Sequence, residues 1–432
     1  MKNRGTQKER MKQNNSGPKP PPVSVVLVGI SGMGLHYLIT LLEEFSPGEI
    51  ELRAAVDPFP ERSERYTELK GKKIPVFSSL GEFYDSGQTA ELVVISSPTQ
   101  FHVSQSCEAL ENGSHVLCEK PISATIQEAD RLIQTKEDSN RWVMIGYQWS
   151  YSKAIQCLKR DILKGLFGKP VRLKTLCFWP RAEDYYENSS WLGRQKDKEG
   201  RWILDSPANN AASHFLHNLF YCLGYRADTS AQPAVVTAEL YRAYPVENFD
   251  SVACRIFTQE GTELLYYASH VTRPDQGPIF SFEFEQATIS YGELTNEIVA
   301  ASRPKKEKHY GSPEAAHYFL KLFDAVACVR EPKPVVCGPE AARAQTLCVN
   351  GIQESFPEIV EFPESRIQKD KKEGRTWVDG LAEGFYECYT KGILPSEGNI
   401  PWARAGIPVD VRDYRYFPGG APPAGQADKQ EE

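Results

Sequence analysis

The stretch Val23–Phe45, "VSVVLVGISGMGLHYLITLLEEF", decides the fold. Its first six residues are an apolar run, as a parallel strand buried on both faces requires. "MGLHYLITLLEEF" then shows helical spacing and stops near Pro47-Gly48. Between them lie Gly29, Gly32 and Gly34. Against G-x-G-x-x-G, the outer glycines are Gly29 and Gly34, Ser31 stands at the middle position, and Gly32 restores backbone freedom one place later. A turn of this kind, with Ser31 and Met33 completing it, lets main-chain N–H groups and a helix N-terminus approach a pyrophosphate.

Outward from this turn the alternation continues. "IELRAAVD" (50–57) is a strand ending in Asp57, 23 residues beyond Gly34. There a carboxylate accepts hydrogen bonds from a ribose 2′-OH and repels a 2′-phosphate, which favours NAD over NADP; Arg62 and Arg65 lie close enough to leave NADP open. "ELVVISSP" (91–98) is a strand, 101–113 a helix, "HVLCEKP" (115–121) a strand, 125–139 a helix and "RWVMIGYQW" (141–149) a strand. Strands and helices at these intervals predict a doubly wound parallel sheet, a Rossmann domain over 23–150.

The rhythm changes after a helix at 152–165. "VRLKTLCFWP" (171–180) opens a more alternating, longer-stranded region, with strands expected at 234–244, 250–258, 262–271 and 279–292, hairpin-like breaks such as "TQEGTE", and helices near 313–329 and 338–355. This predicts an α+β domain over 151–415 with a mostly antiparallel sheet. Residues 1–22, ending "GPKPPP", and 416–432 read as disordered tails.

The net charge of −7 argues against general nucleic-acid binding. No apolar run approaches a membrane span, and the N-terminus lacks the apolar segment of a secretory signal. The ten cysteines contain no CxxC pair and read as free thiols in a reducing, cytoplasmic setting. No metal site is expected.

In "HVLCEKPIS" (115–123), Pro121 ends the strand and holds Lys120 out of helical geometry. A cation is thereby set at the carboxyl edge of a parallel strand, where ligands bind in open α/β sheets. It can donate to a carbinol oxygen and stabilise charge as a proton leaves. The longer stretch 91–123, with Ser97-Pro98, His102, Gly113 and Glu119-Lys120-Pro121, resembles the glucose–fructose oxidoreductase, inositol dehydrogenase and MocA-type oxidoreductases. The resemblance extends over about 23–225. It implies a Rossmann domain followed by an α+β domain on a large open sheet, with the lysine reaching the reacting hydroxyl beside a nicotinamide. It also implies cofactor contacts from Ser97, Pro98, Thr99, His102, Glu119, Lys120 and Gln148; His102 reads equally as a helix-start residue that only packs.

"DSPANNAASHFLHNLFYCLG" (205–224) fits the family's Asp-x-x-x-His-x-x-Asp helix, with Gly224 ten residues after His214. Asn210 replaces the first Asp and His217 the second. A helix through this segment predicts 210, 214 and 217 on one face. His214 is the expected general base. Asn210 and His217 are expected beside it, with the neutral amide leaving Lys120 free to titrate lower. The preceding loop, "FWPRAEDYYENSSWLGRQKDKEGRWILD" (178–205), is long and aromatic. Trp179, Arg181, Tyr185 and Trp191 suit a sugar or cyclitol, which presents both C–H faces and hydroxyls.

The residues together predict an NAD(P)-dependent oxidoreductase acting on a secondary alcohol of a sugar-like substrate. The alternatives are a redox-assisted NAD-dependent glycosidase and a non-catalytic dinucleotide sensor. An open sheet would expose an apolar face, so a homodimer or homotetramer is expected.

Overall fold

The computed structural model describes residues 20–418 except 188, 293, 294, 303 and 305. The expected tails therefore lie almost wholly outside the described residues. At the C-terminal edge, Phe417 is buried beside Ala124 and Leu204, and its N–H donates to Gln127 Oε1 at 3.0 Å.

The N-terminal layer comprises β1 (Val23–Val28), α1 (Met33–Glu43), β2 (Ile50–Val56), α2 (Tyr66–Gly71), β3 (Val76–Phe77), α3 (Leu80–Asp85), β4 (Leu92–Ile95), α4 (His102–Glu111), β5 (His115–Cys118), α5 (Ile126–Ser139) and β6 (Val143–Ile145). The six strands are all parallel, in the order β3-β2-β1-β4-β5-β6. Every residue of β1 and β4 is buried, which accounts for their unbroken apolar runs. The order reverses between β1 and β4, and ligands bind at the strand ends beside such a switch.

Helices α6 (Gln148–Tyr151) and α7 (Lys153–Leu163) lead to β7 (Pro170–Phe178), α8 (Glu183–Glu187) and α9 (Ser213–Cys222). Then come β8 (Pro233–Arg242), β9 (Ser251–Thr258), β10 (Glu263–Ser269), β11 (Gln276–Phe284), β12 (Ala287–Tyr291), β13 (Ile298–Ser302) and β14 (Lys306–Gly311). Next are α10 (Leu320–Arg330), α11 (Pro339–Ser355), β15 (Val360–Glu361), β16 (Ile367–Asp370), β17 (Arg375–Val378), α12 (Leu381–Lys391) and β18 (Val409–Asp410). The second sheet runs β14-β13-β12-β11-β7-β10-β9-β8-β15, with β18 also on β8. It is mostly antiparallel; β7 with β10 and β8 with β15 are its parallel pairs. The single strand expected at 279–292 is a hairpin turning at Glu285-Gln286, because the apolar alternation runs on through a two-residue turn.

One continuous core joins the two sheets. Val25, Leu117 and Ile145 share it with Phe215, Leu219, Val236, Phe280 and Leu347. The opposite face of the second sheet does not stand open as expected. Leu176, Phe178, Tyr241, Leu265, Tyr267 and Ile279 on that face are covered by Phe362, Leu381, Phe385, Tyr389 and Trp402 from the chain's own C-terminal part. The apolar surface that suggested an oligomer is satisfied within the chain. No helix among the described residues is long and apolar enough to cross a membrane.

Candidate active site

The glycine turn after β1 is built by close approach. Gly29 has φ +81°, and a Cβ there would meet Ser96 O at 2.8 Å. A Cβ at Gly34 would lie 2.1 Å from Gly29 O, so helix α1 can start against the strand end only through a glycine. Gly32 faces open space, and Met33 is the first helical residue. No side chain caps α1; Gly34 N and Leu35 N close back on Ser31 O and Gly32 O at 3.0 and 3.2 Å, and the Ser31 hydroxyl is buried without a partner. These residues fit a pyrophosphate. Asp57 sits beside the turn, accepting from Ile30 N at 3.1 Å and Phe59 N at 2.8 Å. Arg65 is engaged by Glu43 and Glu68, while the Arg62 guanidinium lies 4.3 Å from the centre of the Phe59 ring.

At the end of β4, Ser97 Oγ donates to Gln105 Oε1 at 2.6 Å; Pro98 and the buried Thr99 lead into α4. His102 has no nitrogen to spare for a ligand. Its Nδ1 lies 2.7 Å from Pro121 O and its Nε2 2.8 Å from Ser97 O, so it ties the β4 turn to the turn behind Lys120. Glu119 is also turned inward: its carboxylate accepts from Tyr37 OH at 2.7 Å, from Lys321 and from the Lys120 N–H at 3.1 Å. Gln148 Oε1 is buried without a partner at the start of α6.

Lys120 reaches across to the substrate side. Its Nζ donates to Asn210 O at 2.9 Å and to Asn210 Oδ1 at 3.2 Å. Burial lowers its pKa to about 8; Glu119 and Asp205 oppose that shift, and Lys321 and Arg181 add to it. Asn210 Nδ2 donates to Asp205 Oδ1 at 2.9 Å and to Tyr185 OH at 3.2 Å. The Asp205 carboxylate, 4% exposed, also accepts from Gly193 N at 2.5 Å, and burial raises its pKa to about 7.

The histidines separate. Helix α9 begins at Ser213, so Asn210 stands in the turn before it rather than on a shared helical face. His214 keeps its Nδ1 buried and unpartnered, its ring edge-on to Tyr147 at 5.7 Å. Burial, then the charges of Lys120 and Lys321, hold it neutral, well below the ordinary histidine range. His217 is 1% exposed, stacks on Tyr147 at 3.9 Å and meets Ser150 Oγ at 3.0 Å. It is a core residue rather than a cleft residue: one turn of helix carries it behind Tyr147.

On the loop side, the Arg181 guanidinium lies 5.0 Å from the Tyr185 ring centre and 5.9 Å from that of Trp179, and its Nε is buried without a partner. Trp179 packs edge-on against Phe215 at 5.2 Å, next to His214. The Trp191 backbone closes a turn with Ser189 and Arg194. Three residues of the site were missed in the sequence. Asp205 was inside the quoted stretch, as a carboxylate five residues before Asn210. Lys321 gave only a cation in an apolar helical run. His270, paired through Nδ1 with Tyr186 OH at 3.0 Å and with its Nε2 unpartnered, gave no signal.

Residues 23–147 match the family model for the Gfo/Idh/MocA oxidoreductases, described as an oxidoreductase family with an NAD-binding Rossmann fold. Over these residues the chain is similar to the Gfo/Idh/MocA oxidoreductases. Its Rossmann layer is thus of the NAD-binding type. Among relatives, the rhizopine catabolism protein MocA of Rhizobium meliloti is 28% identical over 157 residues, 36% of this chain and 47% of that one. The inositol 2-dehydrogenase of Leifsonia xyli is 26% identical over 251 residues, 57% of this chain and 71% of that one. The chain spans less than half the length of the first curated relatives it matches. In fold, it superposes on the WlbA dehydrogenase of Chromobacterium violaceum, solved with NADH and UDP-GlcNAcA, with a TM-score of 0.66 at 19% identity, covering 78% of this chain and 95% of that one.

Proposed function

We propose that this protein is an NAD-dependent dehydrogenase of the Gfo/Idh/MocA family that moves a hydride between the nicotinamide and a secondary alcohol of a sugar- or cyclitol-like substrate. The carrying observation is the bond from Lys120, at the carboxyl edge of the cofactor sheet, to Asn210 on the substrate side. It spans the gap in which an alcohol carbon must meet a nicotinamide.

NAD, when bound, supplies the hydride acceptor; the protein supplies orientation and charge. Gly29, Ser31, Gly32 and Gly34 would hold its pyrophosphate, and Asp57 its ribose. The Lys120 ammonium donates to the carbinol oxygen and steadies the negative charge that develops there. Asn210 aims that ammonium. His214, neutral and with a free Nδ1, takes the hydroxyl proton. Trp179, Tyr185 and Arg181 form the wall against which the ring of the substrate rests. The inositol dehydrogenase relative and the WlbA dehydrogenase, solved with a nucleotide sugar, support a polyol or sugar substrate.

The test is NADH formation at 340 nm with a panel of hexoses, uronic acids and inositols. Turnover of one of them, reduced ~100-fold or more by Lys120→Ala with NAD affinity unchanged, is the expected result. NAD binding with no turnover of any panel member, or activity indifferent to Lys120→Ala, overturns the reading.

A further inference from the structure

A carboxamide has two unlike ends of the same shape, and which end faces which neighbour is set by its hydrogen-bond network. At Asn210 the two neighbours are opposite in kind. The Lys120 ammonium can only donate, and it meets Oδ1. The Asp205 carboxylate, once ionised above about pH 7, can only accept, and it meets Nδ2. Reversing the amide would set N–H groups against the ammonium and an oxygen against the carboxylate.

Asp205 is itself fixed. Gly193 N donates to its Oδ2 at 2.5 Å, its backbone carbonyl accepts from Asn248 Nδ2 at 3.0 Å, and the residue is buried. We propose that Asp205 is a positioning residue for Lys120, acting through the carboxamide of Asn210. The carboxylate that position 210 lacks returns from five residues upstream, one amide removed from the amine. The catalytic meaning of this relay rests on the role proposed for Lys120 above; the relay itself does not.

The charges around the pair make the relay matter. Lys120 faces Glu119, Lys321, Asp205 and Arg181, with His214 alongside. Asp205 faces Lys120, Asn210, Tyr185 and Tyr186. Glu119 is already bound to Lys321 and Tyr37, so Asp205 is the carboxylate left to balance the Lys120 ammonium. Without it, burial drives Lys120 toward its neutral form at lower pH.

The experiment reads Lys120 directly, without a substrate: the full-length protein is acetylated with acetic anhydride across a pH series, and the Lys120 peptide is quantified by mass spectrometry. Asp205→Asn is expected to lower the labelling midpoint by about one pH unit, roughly a tenfold rise in free amine at fixed pH. The swap Asp205→Asn with Asn210→Asp is expected to restore it, because a carboxylate again lies beside the amine. A role confined to holding the Gly193 turn would not be rescued in this way. If Asp205→Asn does not fold, Asn210→Ala, which cuts the relay, must lower the midpoint. An unmoved midpoint in whichever single variant folds, or a swap that fails to restore it, overturns the proposal. Turnover is scored separately, so a failed dehydrogenase assay leaves this result standing, and the reverse.

Discussion

The Lys321 ammonium, carried by α10, pairs with the Glu119 carboxylate one residue before Lys120, and both side chains are almost fully buried. Lys321 also donates to Gly146 O at 3.1 Å, so one cation binds the ends of β5 and β6 to a helix from the far end of the chain. Removing one partner of a buried pair leaves an uncompensated charge. Lys321→Met is expected to lower stability by roughly 3–5 kcal/mol, read as a shift in urea midpoint. The double variant with Glu119→Gln should lose less than the sum of the two singles; strict additivity would show that the pair is not coupled.

Gly34→Ala places a methyl 2.1 Å from Gly29 O, inside the glycine turn between β1 and α1. The turn must open, and NAD affinity should fall by at least ~10-fold in a fluorescence titration. Unchanged affinity would mean that the dinucleotide does not use this turn.

Asp57 is tethered beside the turn by two backbone N–H groups, and Arg65 is occupied by two glutamates. A 2′-phosphate would meet a carboxylate, and such like-charge contact costs several kcal/mol. NADP should therefore bind at least ~10-fold more weakly than NAD, with Asp57→Ala narrowing the gap. Equal binding of both dinucleotides by the wild type would refute this.

Burial depresses His217 and His270 to about 3. Near pH 6.5 the unfolded chain begins to take up protons that the folded chain refuses. Stability is thus present above pH 6.5 and lost as pH falls toward 3, by up to about 1.4 kcal/mol per pH unit for each histidine. His217→Gln should flatten the urea-midpoint profile between pH 6.5 and 4. A variant profile parallel to the wild type would place the acid sensitivity elsewhere.

Trp402 packs on Tyr241 at 4.9 Å and on Phe362 at 5.0 Å, closing the outer face of the second sheet. Trp402→Ala is expected to cost roughly 3–5 kcal/mol. A loss below ~1 kcal/mol, the scale of a surface change, would mean that the C-terminal part only rests on the sheet.

The N-terminal sheet was legible because its information is local. Buried parallel strands must be continuously apolar, a turn touching a phosphate needs glycine, and Pro121 marks where Lys120 leaves the strand. Each constraint acts within a few residues, so Gly29, Gly34, Asp57 and Lys120 could be read directly. His214 was assigned through the family resemblance, by its spacing to Gly224, and its role as base is a proposal.

What tertiary structure alone decided is how distant groups share one charge environment. Asn210 and His217 looked like neighbours on a helix, yet the helix begins three residues after Asn210 and buries His217 behind Tyr147. Asp205, in the loop before α9, and Lys321, on α10, reach Lys120 from 85 and 201 residues downstream of it.

 No sequence period links positions so far apart. Burial is what sets the charge of Lys120, Asp205 and His214, because removing water raises the energy of an ion until a partner is folded against it. That partner exists only once the chain has closed.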